Sequence, residues 1–210
     1  MSNKVQLGVD EEGRSVFFRP DAQHSILCGQ TRSGKSVGAY RLLAEISMIP
    51  WVRFTGVDPT GILLGPASEG KRHDFALGTS PQAIDHAIHV LHNVEHLMDK
   101  RIEALYRLGA DKVPETIYTD PRVGAVLLIL EEYAGLLTAG ERKQSDEIRR
   151  VVGRVLREGA KSAIHVFTIL QRPEAAVLHD RAQYSRSIVW SVENADSVRM
   201  VLPMADQEQV

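Results

Sequence analysis

Cysteine is nearly missing from this chain. Cys28 stands alone, which excludes an internal disulfide, and its apolar neighbours mark it as a small core residue in a reducing compartment. Long apolar runs are missing as well. No stretch approaches the roughly 18 residues of a membrane-spanning helix, and the start Met1-Ser2-Asn3-Lys4-Val5 has no apolar core of a secretion signal. A soluble, cytoplasmic chain without a membrane segment is the expectation. Net charge is also close to absent, with 25 basic residues against 27 acidic ones leaving −2. That excludes a surface coated in basic residues for nonspecific nucleic-acid binding, so any DNA contact must come from a local cluster or from loops gathered by oligomerisation. Aromatic residues make up 6% of the chain, and there is no internal repeat, low-complexity tract or Gly/Ser-rich linker.

The 210 residues, 43% of them hydrophobic, suit one globular domain with a full core. Short apolar runs alternate with longer amphipathic ones, the pattern of an α/β layer fold with a mostly parallel sheet. Residues Val5 to Phe18 read as a small hairpin decorating the sheet edge, which sets residues 1–20 apart from a main domain over 21–210. Strands are expected at Ser25 to Cys28, Val52 to Val57, Asp74 to Leu77, Ala125 to Leu130, Ile164 to Leu170 and Ser187 to Val192. Helices are expected from the turn after Cys28 to Ser47, over Pro81 to Leu108 with Gly109 as a stop, over Glu141 to Glu158, and over Ala195 to Val201.

The most specific motif is Gly29-Gln30-Thr31-Arg32-Ser33-Gly34-Lys35-Ser36. It matches G-x-x-x-x-G-K-[ST] in full, between an expected strand and an expected helix. Glycines let the backbone curl so that successive N–H groups, from Gly29 through Val37, point with the helix N-terminus at phosphates. Lys35 then reaches the β- and γ-phosphates, and Ser36 offers its hydroxyl to Mg²⁺. The side chains of Arg32 and Ser33 read as loop positions. ATP and Mg²⁺ are the expected ligands.

Such a loop needs an acid to orient the magnesium shell and another to activate water, both at the C-terminal end of an apolar strand. The run Val126 to Leu130 followed by Glu131-Glu132 meets that need. Glu131 is assigned to the metal, together with Ser36, and Glu132 to the attacking water. The next strand ends in Gln171-Arg172-Pro173, which places Gln171 at the same edge as a sensor of the γ-phosphate or of the water.

Taken in order, His24-Ser25-Ile26-Leu27-Cys28-Gly29 leading into the loop, Val57-Asp58-Pro59-Thr60-Gly61, Leu130-Glu131-Glu132-Tyr133-Ala134, and Arg157-Glu158-Gly159 through Gln171-Arg172-Pro173 resemble the FtsK/SpoIIIE family over about residues 20 to 202. The resemblance implies a RecA-like P-loop ATPase that assembles as a ring, most often a hexamer, and moves double-stranded DNA. Other branches of the family pump DNA in conjugation or drive protein secretion, so an ATP-binding module of a secretion or assembly machine with weak turnover is the alternative. Three departures stand out. Glu131 takes the place of the usual Asp, Thr60 follows Asp58-Pro59 where the family has Lys, and Gly159-Ala160 stands where a Gly-Arg pair carries the arginine that completes the neighbouring site. Arg157, Lys161 or Arg186 are the candidates to replace that arginine. Family members usually run on past the position of Pro203, which implies a minimal or C-terminally truncated domain.

Arg101 falls on the apolar arc of the long helix, beside Met98 and Leu105, where it is expected to reach a carboxylate, a neighbouring subunit or the solvent by snorkelling. His89, His92 and His96 share a narrow arc on the opposite side, read as a solvated polar stripe rather than a metal site. Lys71-Arg72-His73 reads as a basic loop, able in principle to line a pore and touch phosphates.

Overall fold

The computed structural model describes residues 4–68, 74–172, 180–191, 196 and 199. Strands β1 (Val5–Val9) and β2 (Ser15–Phe18) pair antiparallel as the expected hairpin. The main sheet contains β3 (Ser25–Cys28), β4 (Val52–Asp58), β5 (Asp74–Leu77), β6 (Ala125–Glu131), β7 (Ile164–Leu170) and β8 (Arg186–Val189). Its order is β5-β4-β6-β7-β3-β8, and every described pairing is parallel.

Because all the connections cross over, both faces of the sheet are covered, and the central strands β6 and β7 are buried throughout. Alternation decides which residue serves which face. Val126, Leu128 and Leu130 of β6 join the core under α3 (Pro81–Leu108) and α6 (Arg142–Glu158). Leu127 and Ile129 join the opposite core with Ala39, Leu42 and Ile46 of α1 (Lys35–Ser47). Phe18 and Val5 of the hairpin are buried in this second core, so the hairpin is packed into the main body.

The long helix α3 begins and ends where its residues dictate. The Ser80 hydroxyl accepts the Ala83 N–H at 3.2 Å, Pro81 takes the first helical position, and Gly109 closes the helix. Shorter helical turns went unforeseen: α2 (Gly65–Ser68), α4 (Glu115–Tyr118) and α5 (Ala134–Ala139). None is long enough to display a helical period. The final strand is shorter than expected, ending at Val189, so that Trp190 and Ser191 leave the sheet. Val192, most of the expected last helix and the Lys71-Arg72-His73 run lie outside the described residues.

Arg101 corrects its expectation. Among the described residues it reaches no carboxylate; half-buried, it donates to Ser162 O at 2.8 Å, Ala163 O at 3.4 Å, Val123 O at 3.0 Å and Gly124 O at 2.8 Å. Those carbonyls lie just before β7 and β6, so one planar guanidinium joins two strand entries to the long helix. Burial, with Arg53 nearby, lowers its pKa to about 10, which leaves it charged at neutral pH.

The polar arc of α3 is not simply solvated either. His92 contacts Glu147 at 2.7 Å, while Glu95 and Asp99 bind Arg150 and Arg154 of α6 at 2.5–3.0 Å. The arc fastens one helix to the other through an ion network. Among the described residues there is no group of three or more His, Cys, Asp or Glu side chains able to hold a metal.

At the N-terminal edge of the sheet, His24 and His165 are both buried, with ring centroids 5.8 Å apart. His24 Nδ1 accepts the Val166 N–H at 2.8 Å, which requires a neutral ring with its proton on the other nitrogen. Burial lowers both pKa values to about 4, and for His24 the nearby His165 adds to the effect. The unfolded chain therefore takes up these protons first as pH falls. The stability conferred by the neutral pair is complete above about pH 6.5 and is lost towards pH 4, at up to about 1.4 kcal/mol per pH unit for each ring. Urea unfolding at pH 7, 5.5 and 4.5 measures this loss, and His165→Asn should flatten the slope.

Candidate functional site

The register of three strands gathers the site at the C-terminal edge of the sheet. β7 lies between β3, which leads into the phosphate loop, and β6, which ends in the acids. Gly29 N donates to Leu170 O at 3.2 Å and Glu132 N to Ile169 O at 3.0 Å, so the end of β7 is stitched to the loop on one side and to the acids on the other. Gln171, the next residue, lies between them.

The loop takes the expected curl. Gly34 has φ 92°, in the left-handed region that a side chain resists, and Arg32 also lies there at φ 68°. Ser33 N donates to Gln30 O at 3.2 Å, closing the turn. Lys35 opens α1 with only 5% of its surface exposed, and its Nζ lies 3.4 Å from Glu132 Oε1. Ser36 and Val37 follow, exposed on the first helical turn.

The adjacent acids have different environments because the chain bends between them. Glu131 ends the strand, whereas Glu132 takes φ 41°, a strained backbone for a residue with a side chain. Glu131 is 8% exposed, and its Oε2 is buried without a hydrogen-bond partner among the described atoms. Burial pushes its pKa up to about 8, opposed by Lys35 and reinforced by Glu132 and Asp58. Burial raises Glu132 too, while Lys35 and the backbone N–H of Gln171 pull it back. The Gln171 side-chain oxygen accepts from Thr31 Oγ1 at 3.3 Å, tying the sensor candidate to the loop.

Two participants escaped the sequence reasoning. Asp58 is fully buried and accepts from the backbone N–H groups of Thr60, Gly61, Leu63 and Leu64 at 2.9 Å, and from Thr60 Oγ1 at 2.7 Å. Its carboxylate is spent on ordering the turn into α2, although its charge still reaches Glu131. The Asp-Pro pair signalled a turn but not that many donors. Trp190 is the other. Its backbone N–H donates to Cys28 O at 2.8 Å, and its indole lies against Gly34 and Gly38. A Cβ at Gly38 would meet Trp190 Cζ2 at 2.5 Å, so only glycine lets the ring approach the helix this closely. Ser191 completes the brace, accepting from Gln30 through both backbone and side chain at 2.9 Å.

The three candidates for a replacement arginine lie at the opposite edge. Arg157 and Lys161 flank the end of α6, next to the entry of β7, and Arg157 faces Asp180 at 3.4 Å. Arg186 opens β8, where it donates to Phe17 O at 2.8 Å and lies over the Phe18 ring.

No protein-family model matches the chain. Curated relatives do. The DNA translocase FtsK of Streptococcus pneumoniae is 24% identical over 95% of this chain and 27% of its own length. That of Lactococcus lactis subsp. cremoris is 24% identical over 99% and 29%. The chain thus spans less than a third of these relatives. Among solved structures, the pCW3 conjugation coupling protein TcpA, in monomer form with ATPgS, superposes with a TM-score of 0.78 at 18% identity, covering 99% of this chain and 60% of that one. The cytoplasmic domain of the type VII secretion ATPase EccC from Thermomonospora curvata gives 0.76 at 20% identity, over 99% of this chain and 26% of that one. In sequence, along almost its whole length, the chain is similar to FtsK DNA translocases, and it shares the RecA-like fold of TcpA and EccC.

Proposed function

We propose that this chain is a cytoplasmic motor domain that hydrolyses ATP to move double-stranded DNA, working as a subunit of a hexameric ring. The observation that carries the reading is the meeting of Lys35 with Glu132 at 3.4 Å, next to a buried Glu131 oxygen that no described group satisfies. A lone phosphate loop would be compatible with many reactions. A loop lysine held by one acid, beside a second acid with spare binding capacity, suits hydrolysis of a phosphoanhydride.

The backbone from Gly29 to Val37 cradles the phosphates, and Lys35 exchanges its contact with Glu132 for one with the β- and γ-oxygens. That exchange leaves Glu132 free to accept the proton of the attacking water, and burial has already raised its pKa towards neutrality. Gln171, tied to Thr31, reports whether the γ-phosphate is present. The exposed Ser36 hydroxyl and the unpartnered Glu131 oxygen are hard oxygen donors that fit Mg²⁺, an ion that keeps much of its own water. When bound, Mg²⁺ neutralises charge gathering on the phosphate oxygens. Arg157, Lys161 and Arg186, all at the far edge, are the candidates to serve a neighbour's site, Arg157 from its pairing with Asp180 and Arg186 from its contact with the hairpin.

The similarity to DNA translocases favours DNA as the substrate, gripped through its phosphates without sequence readout. The fold of EccC keeps a protein substrate as the second reading. ATP turnover titrated with linear duplex DNA tests the choice. Stimulation that fades as salt rises supports the DNA motor; ATP binding with turnover indifferent to duplex supports the secretion reading.

A further inference from the structure

A cleft of about 270 Å³ opens between the hairpin and β8, beside the phosphate loop. Leu7, Gly8, Val9 and Val16 line it from the hairpin, and Val189 and Trp190 from the end of β8. Among the described residues, no charged side chain lines it. The cleft is held open by fixed contacts: Arg186 donates to Phe17 O at 2.8 Å, and Arg41 of α1 donates to Gln6 O at 3.4 Å. The hairpin register slips between Gln6 and Gly8, which bends β1 at the cleft wall. Val9 and Val16 are 63% and 43% exposed, so apolar surface is left open to water here.

We infer that this cleft receives the base of the nucleotide whose phosphates the loop holds, an inference that rests on the nucleotide-binding reading above. Position is the first argument. A base is joined to its phosphates through a single sugar, so its pocket must lie beside the loop. Trp190 satisfies this, since it lines the cleft and its indole lies against Gly34 and Gly38. Size is the second. The cleft falls below the roughly 300–1,000 Å³ of sites that enclose a whole small-molecule ligand, leaving room for a base with sugar and phosphates outside. Chemistry is the third. A base is flat and uncharged, and aliphatic side chains beside an indole suit its faces.

The test is calorimetric titration of the full chain with magnesium–ATP, magnesium–GTP and magnesium–tripolyphosphate. The wild type should bind both nucleotides about tenfold or more tightly than tripolyphosphate, which has no base. Val16→Trp fills the cleft from an exposed position, and Val9→Trp fills it from the other hairpin strand. Each should weaken ATP by about tenfold or more and leave tripolyphosphate unchanged. Loss of both ligands in parallel, or of neither, overturns the base site. A wild type that binds neither ATP nor tripolyphosphate fails in a different way, because it overturns the nucleotide-binding reading itself.

Discussion

Glu132→Gln should lower ATP turnover by about 10² to 10⁴, the usual contribution of a positioned general base, while ATP still binds. The substitution preserves shape and removes the charge. It also turns the ion pair with Lys35 at 3.4 Å into a neutral contact, so the lysine is drawn away from the phosphates less strongly, and ATP affinity should hold or rise. A filter-binding assay beside a turnover assay separates the two effects. Equal loss of binding and turnover would mean that Glu132 builds the pocket instead of acting on water. Glu131→Gln should behave differently, because Glu131 is the residue we propose for the metal: its defect should shrink as magnesium is raised, whereas that of Glu132→Gln should not.

Arg101→Met should cost stability, by about 2–4 kcal/mol, with little change in the geometry of the nucleotide edge. The methionine fills the apolar arc but leaves strand-entry carbonyls at Ser162, Val123 and Gly124 without the donor they now have. Hydrogen bonds from a charged donor are worth more than neutral ones, and desolvated acceptors left unpaired are costly. Arg101→Lys should recover only part of the loss, since one ammonium cannot fork towards two strand ends. Urea unfolding of the three proteins reads the order directly. A methionine variant as stable as the wild type would show that water replaces the guanidinium at no cost.

Much of the fold was legible because its signals are periodic. Ser25 to Cys28, Asp74 to Leu77, Ile164 to Leu170 and the long helix all fall where apolar spacing places them. The loop was legible because its glycine, lysine and serine are required by phosphate geometry. What the pattern cannot carry is a partner distant in sequence. Arg101 was recognisable as misplaced on an apolar arc, but its acceptors are backbone groups, which have no letter in a sequence. Trp190 lies near Gly34 only because β8 pairs with β3, a neighbour relation that no spacing in the chain announces. The two acids could be given separate roles from their order alone, but neither the left-handed bend at Glu132 nor the burial of a Glu131 oxygen without a partner among the described atoms is written in those letters.

Magnesium-dependent ATP turnover by the wild type and by Lys35→Ala is the most direct measurement of the central claim. The account predicts turnover in the wild type and a variant that is folded but weakened in ATP binding by about tenfold to 150-fold, the worth of a charge-assisted contact to phosphate. Turnover and ATP affinity that survive the substitution unchanged would contradict it, because the lysine that joins the loop to the acids would then have no part in the chemistry.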